Sequence, residues 1–550
     1  MSDDQHHSPY AGRWVALVNG RVVAQGGTPE QALRASQHSR YKEKPEIKFM
    51  PAFFNLHPLV KKIVDVLPAD QDIYLVGGAV RDLLLSRVSP DLDFALPANG
   101  ISIARKVANA LGADFLPLDE ERDTGRVVLT QENGSRIFLD FAVYRGATLE
   151  DDLRARDFTI NAIAFNLRDE TIIDPLSGGM DVRSKLIRAA SQTALTDDPV
   201  RILRAVRQAA ALEFSIDKNT RELMKQAADQ LGRVSAERLR DEVFKMLQGP
   251  KPHASMRALE MLGVLPYLMP ELSAMKGVEQ SEPHVYDVWT HTLAVLDHLD
   301  QVIRALRVGY DAEKTNDMFT GLLGLQLGRY REQIAKHFAE PLNVDRSLRA
   351  LLFFAALYHD VCKPETKTVE DSGRIRFFNH DVRGAEIAAE RARAFNLSNG
   401  EVDRLRVIIR NHMRIHSFAD RLIEDEQKPS RKAIYRFFRD SNAAGLELIL
   451  LGLADLRATR AHSLTIETWT AYLDVARTLL ENYWERPQEV VAPPRLLDGN
   501  DLIKALALKP GPVIGQVLEA IREEQAAGNI NSRDDALAFA HNWVKENSAL

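Results

Sequence analysis

IYLVGGAVRDLLL (Ile73–Leu85) and SPDLDFAL (Ser89–Leu96) together predict a strand, a glycine turn, a helix and a second strand. The first four residues form an apolar run typical of a buried strand, and Gly77-Gly78 ends it before a helical stretch over Ala79–Ser86. Glycines at a strand-to-helix turn let backbone amides approach phosphate oxygens near the positive end of a helix. Such a turn is weak support for a phosphate site when it stands alone, so its interpretation depends on the residues that follow.

The second strand carries two carboxylates. Asp91 and Asp93 alternate with Leu92 and Phe94, and alternate residues of a strand share a face. The two carboxylates therefore project together and repel each other unless a cation binds them. A pair of Mg²⁺ ions is the economical explanation, because Mg²⁺ prefers carboxylate and phosphate oxygens and lowers the pKa of an attacking hydroxyl. The alternative for an isolated Asp-X-Asp is a solvated loop edge.

A third carboxylate lies in RIFLDFAV (Arg136–Val143). One face of this predicted strand holds the apolar residues at positions 137, 139, 141 and 143, and Asp140 lies on the other face. Asp140 either points at the same site or is an exposed acid on a half-buried strand. The segment alone favours neither interpretation.

DDPVRILRAVRQAA (Asp197–Ala210) supports two interpretations that can hold together. Asp198 followed by Pro199 is typical of a helix start, with the acid as N-cap. Cytosine and adenine each present an amino donor beside a ring-nitrogen acceptor, so Asp198 could accept from the amino group while Arg201 donates to the acceptor. Uracil and guanine reverse that pattern, so this pair would favour cytosine and adenine over the other two bases. The same helix adds a cationic stripe at Arg201, Arg204 and Arg207.

The segment from Asp198 to about Tyr483 is predicted to be almost wholly helical and contains a second set of polar residues. These are His291, His359, Asp360, His380, His412 and Asp455. A single histidine on such helices is usually packed in the core or exposed at the surface. Asp455 differs, because an acid in a leucine-rich helix is costly to bury unless it is paired or bound to a metal.

The first fifty residues predict a small appended ββα-like module. Trp14–Val18 and Arg21–Ala24 are short β-type runs joined by Asn19-Gly20, a strong hairpin signal. A helix is expected from Thr28, with Pro29 at its first position, and a charged linker, YKEKPEIK, follows. The module shows no chemistry of its own.

The motifs around Gly77, Asp91 and Asp198 resemble those of class II tRNA nucleotidyltransferases (CCA-adding enzymes) and bacterial poly(A) polymerases. GGAVRDLLL with DLDFAL resembles the family signature, and further blocks follow in the family's order over most of residues 70–250 and 495–545. These blocks are RARDFTINAIAF (Arg154–Phe165), DPLSGGMDVRSKLIR (Asp174–Arg188), DDPVRILRAVRQAA, VSAERLRDEVFKML (Val234–Leu247) and LLDGNDLIKALALKPGPVIGQVLEAI (Leu496–Ile521).

The resemblance implies roles for individual residues. Asp91 and Asp93 would be catalytic and hold Mg²⁺, with Asp140 as the third catalytic carboxylate. The implied nucleotide-binding residues are Gly77, Gly78, Arg81, Asp82, Arg156, Asp157, Asn161, Asp198, Arg201, Arg204 and Arg207. Ala155 departs from the family, which often has a second arginine there, and this predicts weaker phosphate affinity.

The second set resembles the HD phosphohydrolase superfamily, because adjacent His-Asp is followed by Lys363-Pro364. The resemblance implies a divalent transition metal held by His291, His359, Asp360 and Asp455. His380 and His412 would bind phosphate or a second metal. Imidazole with carboxylate suits Mn²⁺, Fe, Ni²⁺, Co²⁺ or Zn²⁺ alike. Two features depart from the motif: Cys362, where the motif commonly has glycine, and the long insertion between His291 and His359. We expect the helix to tolerate Cys362; the alternatives are crowding and a thiol ligand.

Composition limits the remaining possibilities. The chain of 550 residues has a net charge of −6, so RNA contact would depend on local Arg/Lys clusters. Its one cysteine excludes an intrachain disulfide and a multi-thiolate zinc site. MSDDQHHSPY lacks the features of a signal peptide, and the most apolar run, Ala350–Tyr358, is too short to span a bilayer. We therefore expect a cytoplasmic enzyme without membrane association.

These inferences predict an α+β protein: a nucleotidyltransferase-type mixed-sheet head, a mostly α-helical neck and body, an all-α HD domain and a helical tail. The expected domains are residues 1–50 (appended module), 51–190 (head), 191–275 (neck, binding RNA and the base), 276–485 (HD domain) and 486–550 (tail). Boundaries are expected near Pro270, Pro283 and Arg486–Pro494, since proline stops helices.

The predicted reaction is attack of an RNA 3′-hydroxyl, as in tRNA, on the α-phosphate of CTP or ATP, which adds CMP or AMP and releases pyrophosphate. An HD phosphohydrolase activity would accompany it. Addition of A alone or poly(A) tailing remains open, because Phe115–Val128 lies where the family has a mobile loop that affects nucleotide choice. A phosphohydrolase whose head only binds RNA, or a non-enzymatic RNA-binding protein, is disfavoured by the intact Asp91, Asp93, Asp198 and Arg201. The sequence leaves the oligomeric state open.

Overall fold

A computed structural model describes residues 13–37, 44–50, 57–89, 91–131, 136–311, 315–343 and 346–547. Residues 1–10, on which the signal-peptide prediction depends, lie outside the described residues, as do positions 41–43 of the charged linker. In the part of the chain that the structure describes, every helix is too short or too polar to cross a membrane.

The chain forms two compact units, residues 1–234 and 235–550. The division falls inside the segment 191–275, for which the sequence predicts one separate domain. The helix Ala236–Gln248 belongs with the second unit because it packs on the helix Leu348–Tyr358 there. The five-part domain division stays a prediction.

The N-terminal module is a three-stranded antiparallel sheet covered by one helix. Its elements are β1 (Arg13–Val18), β2 (Arg21–Gly26), α1 (Pro29–Ser36) and β3 (Glu46–Met50), in the sheet order β2-β1-β3. Asn19 and Gly20 both have positive φ, as a tight hairpin turn requires, and the Thr28 side chain caps α1. The hairpin and helix predictions are confirmed. The linker prediction is wrong from Glu46 onward, and the module is ββαβ, because pairing with β1 makes this charged segment a strand.

The head of the first unit is a mixed seven-stranded sheet. Its strands are β4 (Tyr74–Val76), β5 (Asp91–Leu96), β6 (Asp114–Asp119), β7 (Thr124–Thr130), β8 (Arg136–Val143), β9 (Ala164–Asn166) and β10 (Ile172–Ile173). The order across the sheet is β10-β9-β4-β5-β8-β7-β6, and β5 and β8 are parallel neighbours while the other pairs are antiparallel. The alternation predicted for Arg136–Val143 is confirmed, since Ile137, Leu139 and Phe141 are buried and Asp140 is not. The segment Phe115–Val128 forms most of the β6–β7 hairpin at the sheet edge.

Helices complete the first unit around this sheet. They are α2 (Pro58–Val66), α3 (Gly78–Leu84), α4 (Gly100–Leu111), α5 (Leu149–Arg154), α6 (Gly178–Arg183), α7 (Ala194–Asp197), α8 (Arg201–Leu212) and α9 (Lys218–Ala227), with a short parallel pair, β11 (Leu186–Ile187) and β12 (Ser215–Ile216). The prediction that Asp198 is the N-cap of α8 is wrong. The N-cap of α8 is Val200. Asp198 lies two residues earlier, in a turn where its backbone carbonyl accepts from the Arg201 amide at 3.1 Å.

The second unit is mostly helical, as predicted. Its helices are α10 (Ala236–Gln248), α11 (Pro252–Met261), α12 (Leu265–Leu268), α13 (Pro270–Ser273), α14 (Val288–Ala305), α15 (Met318–Leu327), α16 (Arg331–Ala339), α17 (Leu348–Tyr358), α18 (Lys363–Thr366), α19 (His380–Ala394), α20 (Asn399–Asn411), α21 (Arg414–Asp425), α22 (Arg431–Ser441), α23 (Gly445–Arg460), α24 (Ile466–Trp484), α25 (Gly499–Leu506), α26 (Pro512–Ala527) and α27 (Arg533–Asn547).

Two short antiparallel pairs interrupt these helices, so the segment predicted as all-α contains some β structure. They are β13 (Pro341–Asn343) with β14 (Arg346–Ser347), and β15 (Lys367–Val369) with β16 (Ile375–Phe377). The centre of the unit is formed by α17 and α23, which are buried along almost their whole length, and α14 packs on both. The last three helices enclose a smaller core around Leu502, Val517 and Ile521.

Candidate functional sites

The first site begins at the turn between β4 and α3. Gly77 has φ of +72° and precedes the first residue of α3. A Cβ atom at Gly77 would lie 2.9 Å from Arg156 Nη1 and 3.4 Å from Asp93 Oδ2. The turn therefore brings backbone, a guanidinium and a carboxylate together where a larger side chain would not fit. Gly78 starts the helix beside the Arg81 guanidinium.

The three predicted carboxylates lie on two adjacent strands. Asp93 is in register with Asp140 across the parallel β5–β8 pair, and Asp91 stands at the exposed start of β5. Arg126 on β7 donates from Nε and Nη2 to the two Asp140 oxygens, each at 2.7 Å. Burial, followed by the negative charges of Asp140 and Asp91, raises the pKa of Asp93 to about 6 despite the opposing charges of Arg156 and Arg126. Such mutual repulsion is what a divalent cation would relieve.

Polar side chains link α3 to α8 beside these carboxylates. Arg81 donates to Asp82 and, at 2.9 Å, to Asn161 Oδ1. Asn161 donates to Asp157 Oδ1 at 2.9 Å, and Arg204 lies 3.2 Å from Asp157 Oδ2. Burial alone would raise the pKa of Asp157, but the Arg204 charge and the Asn161 hydrogen bond bring that pKa below its usual value. The structure thus joins five of the predicted nucleotide-binding residues in one network.

The two residues predicted to recognise the base lie close to this network. The Arg201 guanidinium donates to the backbone carbonyls of Ala194 at 3.1 Å and Ala155 at 3.0 Å, and its Nε is 3.9 Å from Asp198 Oδ2. These carbonyls orient Arg201, and one of them comes from the position where the sequence departs from the family. The arginines of the predicted stripe are all partly buried on the first two turns of α8, at Arg201, Arg204 and Arg207.

Sequence reasoning missed three residues of this site, namely Asp152, Gln208 and Arg126. Arg156 donates from Nε and Nη2 to Asp152 Oδ2 at 3.1 and 2.9 Å, and Gln208 accepts from Asn161 at 3.2 Å. Asp152 precedes Arg156 by four residues and Gln208 follows Arg201 by seven, which are helical spacings that could have indicated both. Arg126 reaches Asp140 through strand pairing, for which the sequence carries no local signal.

The second site brings together side chains from three buried helical segments. His291 comes from α14, His359 and Asp360 follow α17, and Asp455 comes from α23. His291 Nε2 lies 3.0 Å from Asp455 Oδ1 and 3.6 Å from Asp360 Oδ2, and His359 Nε2 lies 3.2 Å from Asp360 Oδ2. One ligand atom from each of His291, His359 and Asp360 falls within 4.8 Å of the others.

Asp360 also belongs to a second cluster, with His380 and His412. Their Nε2 atoms lie 3.5 and 3.8 Å from Asp360 Oδ1 and 3.4 Å from each other. His359, His380 and His412 each place Nδ1 within 2.8 Å of a backbone carbonyl three residues earlier in the chain. A carbonyl can only accept, so Nδ1 carries the proton and Nε2 is left to bind a metal.

The electrostatics of this site fit a bound cation. Burial alone would raise the pKa values of Asp360 and Asp455, but neighbouring histidines, with Lys363 beside Asp360, hold both far below the usual value. Burial lowers the pKa of His291, which favours its neutral form. Both ring nitrogens of His291 and Nε2 of His359 are buried without a well-directed hydrogen bond. The two Nε2 atoms face carboxylate oxygens at 3.0 and 3.2 Å, so of these three atoms only His291 Nδ1 has neither a hydrogen bond nor an ion-pair contact.

The sequence analysis also missed two residues of the second site, His416 and Tyr472. His416 on α21 places Nε2 2.8 Å from Asp455 Oδ2, and Tyr472 lies 2.8 Å from His416 Nδ1. His416 follows His412 by four residues, a spacing that would have indicated it. The Lys363 ammonium lies 2.7 Å from Asp360 Oδ2.

Cys362 is not a member of either three-residue cluster among the described residues. Its Cβ would lie 3.7 Å from a Cβ atom built on Gly384 of α19, which is ordinary packing distance. The structure therefore supports neither thiol ligation nor crowding at this position.

Comparison with known proteins places this chain in a family. The model of the poly A polymerase head domain matches residues 73–188, and that of a probable RNA and SrmB-binding site of polymerase A matches 213–276. The A-adding tRNA nucleotidyltransferase of Deinococcus radiodurans is 33% identical over 86% of this chain and 95% of that protein. This chain belongs to the tRNA nucleotidyltransferase family.

Other relatives within this family add different nucleotides. The CC-adding tRNA nucleotidyltransferases of Geobacter sulfurreducens and Thermus thermophilus are 32% and 31% identical, over 85% and 86% of this chain and 90% and 94% of those proteins. A solved CCA-adding enzyme in complex with CTP has the same fold, with a TM-score of 0.56 at 20% identity, covering 89% of this chain and 96% of that one.

Further models match the remaining segments of this tRNA nucleotidyltransferase. An HD domain matches residues 325–456, a putative tRNA nucleotidyltransferase domain 2 matches 489–540, and a family of unknown function matches 6–52. The HD match includes five of the six predicted residues of the second site but not His291. The fold supplies His291 from α14, on the other side of the long insertion.

Proposed function

We propose that the protein adds CMP or AMP to the 3′ end of tRNA without a template. The RNA 3′-hydroxyl attacks the α-phosphate of CTP or ATP, the bond between the α- and β-phosphates breaks, and pyrophosphate leaves. The observation that supports this most is the position of Asp93 in register with Asp140, beside the Gly77 turn and Arg156. The names of the full-length relatives agree with it.

Each group of residues has a proposed task in this reaction. The Gly77 turn and Arg156 bind triphosphate oxygens, and the network from Arg81 to Arg204 positions the sugar and phosphates. Asp198 and Arg201 select the base through the donor and acceptor shared by cytosine and adenine. Mg²⁺ held by Asp91 and Asp93, with Asp140 beside them, would neutralise charge on the triphosphate and lower the pKa of the attacking hydroxyl. Positioning and preorganised charge then account for most of the rate.

Relatives of nearly equal identity add different nucleotides: one is A-adding and another CC-adding. The deciding experiment uses tRNA lacking CCA, tRNA ending in C and tRNA ending in CC. Each is incubated with CTP, ATP or both, and the products are sequenced. Absence of any extension, with every tRNA and nucleotide, would contradict the proposal.

We propose a second activity for the HD site: metal-dependent hydrolysis of phosphate esters at damaged RNA 3′ ends, such as 2′,3′-cyclic phosphates. The converging buried ligands of His291, His359, Asp360 and Asp455 support it. His380 and His412 would hold a phosphate or a second divalent metal, and the choice among Mn²⁺, Fe, Ni²⁺, Co²⁺ and Zn²⁺ is open. A tethered hydrolase would supply the free 3′-hydroxyl that the transferase needs.

The test of the HD site compares wild type with a His359→Ala, Asp360→Ala double variant on phosphodiester and cyclic-phosphate substrates across several divalent metals. We expect metal-dependent turnover by wild type alone. No turnover with any metal, together with no bound metal by elemental analysis, would leave this domain a structural spacer.

We also propose that residues 191–275 form an RNA- and base-binding neck and residues 486–550 an RNA-binding tail. The matches to an RNA-binding region and to a tRNA nucleotidyltransferase domain support these roles. A cytoplasmic location is proposed because tRNA, CTP and ATP are found there. Removal of residues 486–550 should weaken tRNA binding in a direct binding assay, and an unchanged Kd would contradict the tail assignment.

A further inference from the structure

An open pocket of about 360 Å³ lies between α21 and α22, apart from the ligands of either site. Its lining includes four cationic side chains, from Arg414, Arg421, Lys432 and Arg436, and no carboxylate. We propose that this pocket binds a phosphate group of an RNA strand, with an adjacent base against Phe418.

Carboxylates outside the lining hold three of the four cations in place. Asp440 accepts from Arg414 at 2.9 Å, and Glu523 on α26 accepts from Arg436 at 2.6 and 2.8 Å. Lys432 donates to Glu524 at 2.7 Å, also on α26. The cations are thus positioned before a ligand arrives, which reduces the entropy lost on binding.

The fourth cation of the lining is Arg421. Arg421 is exposed on α21, and its side chain makes no hydrogen bond or ion pair with any described residue. Ser417, one turn earlier on the same helix, adds a hydroxyl to the lining. Arginine and hydroxyl groups together are the usual protein partners of a nucleic-acid phosphate.

An aromatic side chain in the lining favours a nucleic acid over a simple anion. Phe418 is partly buried, and its ring packs 6.0 Å from that of Phe437. Proteins that bind single-stranded RNA combine cations along the backbone with aromatic faces for the bases. The acidic chain needs such a local cluster to bind RNA at all.

The pocket is connected to the HD site through one helix. His416, which contacts Asp455, directly precedes Ser417 and Phe418 on α21. An RNA strand held in the pocket would therefore run beside the helix that supports the HD site. This inference rests on the proposed function in one respect, namely that RNA is the substrate.

The test measures tRNA binding by the full-length protein, without CTP or ATP, over a series of KCl concentrations. Arg421→Ala should weaken binding by about two- to fivefold, the range of a surface ion pair. It should also reduce the slope of log Kd against log salt by about one. Arg421→Lys keeps the charge and should keep the slope. The matched control is Arg393→Ala, which removes another exposed helical arginine without a side-chain partner among the described residues.

Inorganic phosphate and CMP are titrated in parallel, with the Tm as readout, to separate RNA from a free phosphate compound. If these ligands stabilise wild type but not Arg421→Ala, while tRNA binding is equal in both, the RNA assignment is wrong. Equal losses of tRNA binding in Arg421→Ala and Arg393→Ala, or no loss in either, would also overturn it. Nucleotide addition by wild type is assayed separately, so that failure of the proposed function is distinguished from failure of the pocket.

Discussion

Arg126 holds both carboxylate oxygens of Asp140 through two hydrogen bonds of 2.7 Å. Because Asp140 lies in register with Asp93, this guanidinium offsets part of the negative charge that would otherwise accumulate near the start of β5. Arg126 also stands in the β6–β7 hairpin, within the segment that the family resemblance connects with nucleotide choice. The Arg126–Asp140 ion pair therefore links the β6–β7 hairpin to the proposed metal-binding carboxylates.

Replacing Arg126 with Ala should lower the free energy of unfolding by about 1–2 kcal/mol in EDTA, because a charge-assisted pair is lost beside Asp93. In excess Mg²⁺ the loss should be smaller, since a bound cation would replace the missing charge and stabilise the folded state. Urea unfolding under both conditions measures this difference. Arg136→Ala, an exposed arginine on β8, serves as control. Equal losses with and without Mg²⁺ would mean that the Arg126–Asp140 pair is only structural.

Asp91→Ala and Asp93→Ala should each reduce nucleotide addition by about a thousandfold or more, because metal charge stabilisation supplies several kcal/mol. Folding should be retained, as judged by circular dichroism and Tm. The comparison is Asp114→Ala, which removes an exposed aspartate at the start of β6. Incorporation at the wild-type rate by either active-site variant would refute the proposed two-metal arrangement.

Asp198→Ala or Arg201→Ala should weaken the use of CTP and ATP together and reduce discrimination against UTP and GTP. Each missing hydrogen bond to a base is worth roughly 1–3 kcal/mol of discrimination. Competition assays with mixed nucleotides on one tRNA measure the ratio. An exposed arginine of α9, Arg221, provides the control substitution. If selectivity is unaltered in both variants, the base is recognised elsewhere.

His416→Ala should lower the metal affinity of the HD site by roughly 10- to 100-fold, the usual effect of removing a partner that orients a ligand. The reason is its contact of 2.8 Å with Asp455. Equilibrium dialysis with Mn²⁺, Co²⁺ and Zn²⁺ gives the Kd independently of turnover. His462→Ala, beyond the end of α23 and exposed, should leave the Kd unchanged. If His416→Ala binds the metal with the same Kd as wild type, the contact with His416 is not needed to orient Asp455.

Local patterns predicted the elements that carry the first site, for physical reasons of short range. Alternation of charged and apolar residues placed Asp91 and Asp93 on one face of β5, and glycines marked the turn at Gly77. The same reasoning failed at Asp198, where a good capping residue precedes a turn instead of the helix. It also failed at β3, because a strand made by pairing with a distant strand needs no strong local signal.

Sequence alone provided the family, the order of the elements and most of the polar residues at both sites, because these follow from spacing along one chain. Tertiary structure decided which of those residues meet. The pairing of β7 with β8 brings Arg126 to Asp140, and the packing of α14 on α23 brings His291 to Asp455 across more than 160 positions. Contacts between distant segments depend on how whole elements bury their apolar faces against each other, and no local pattern records that arrangement.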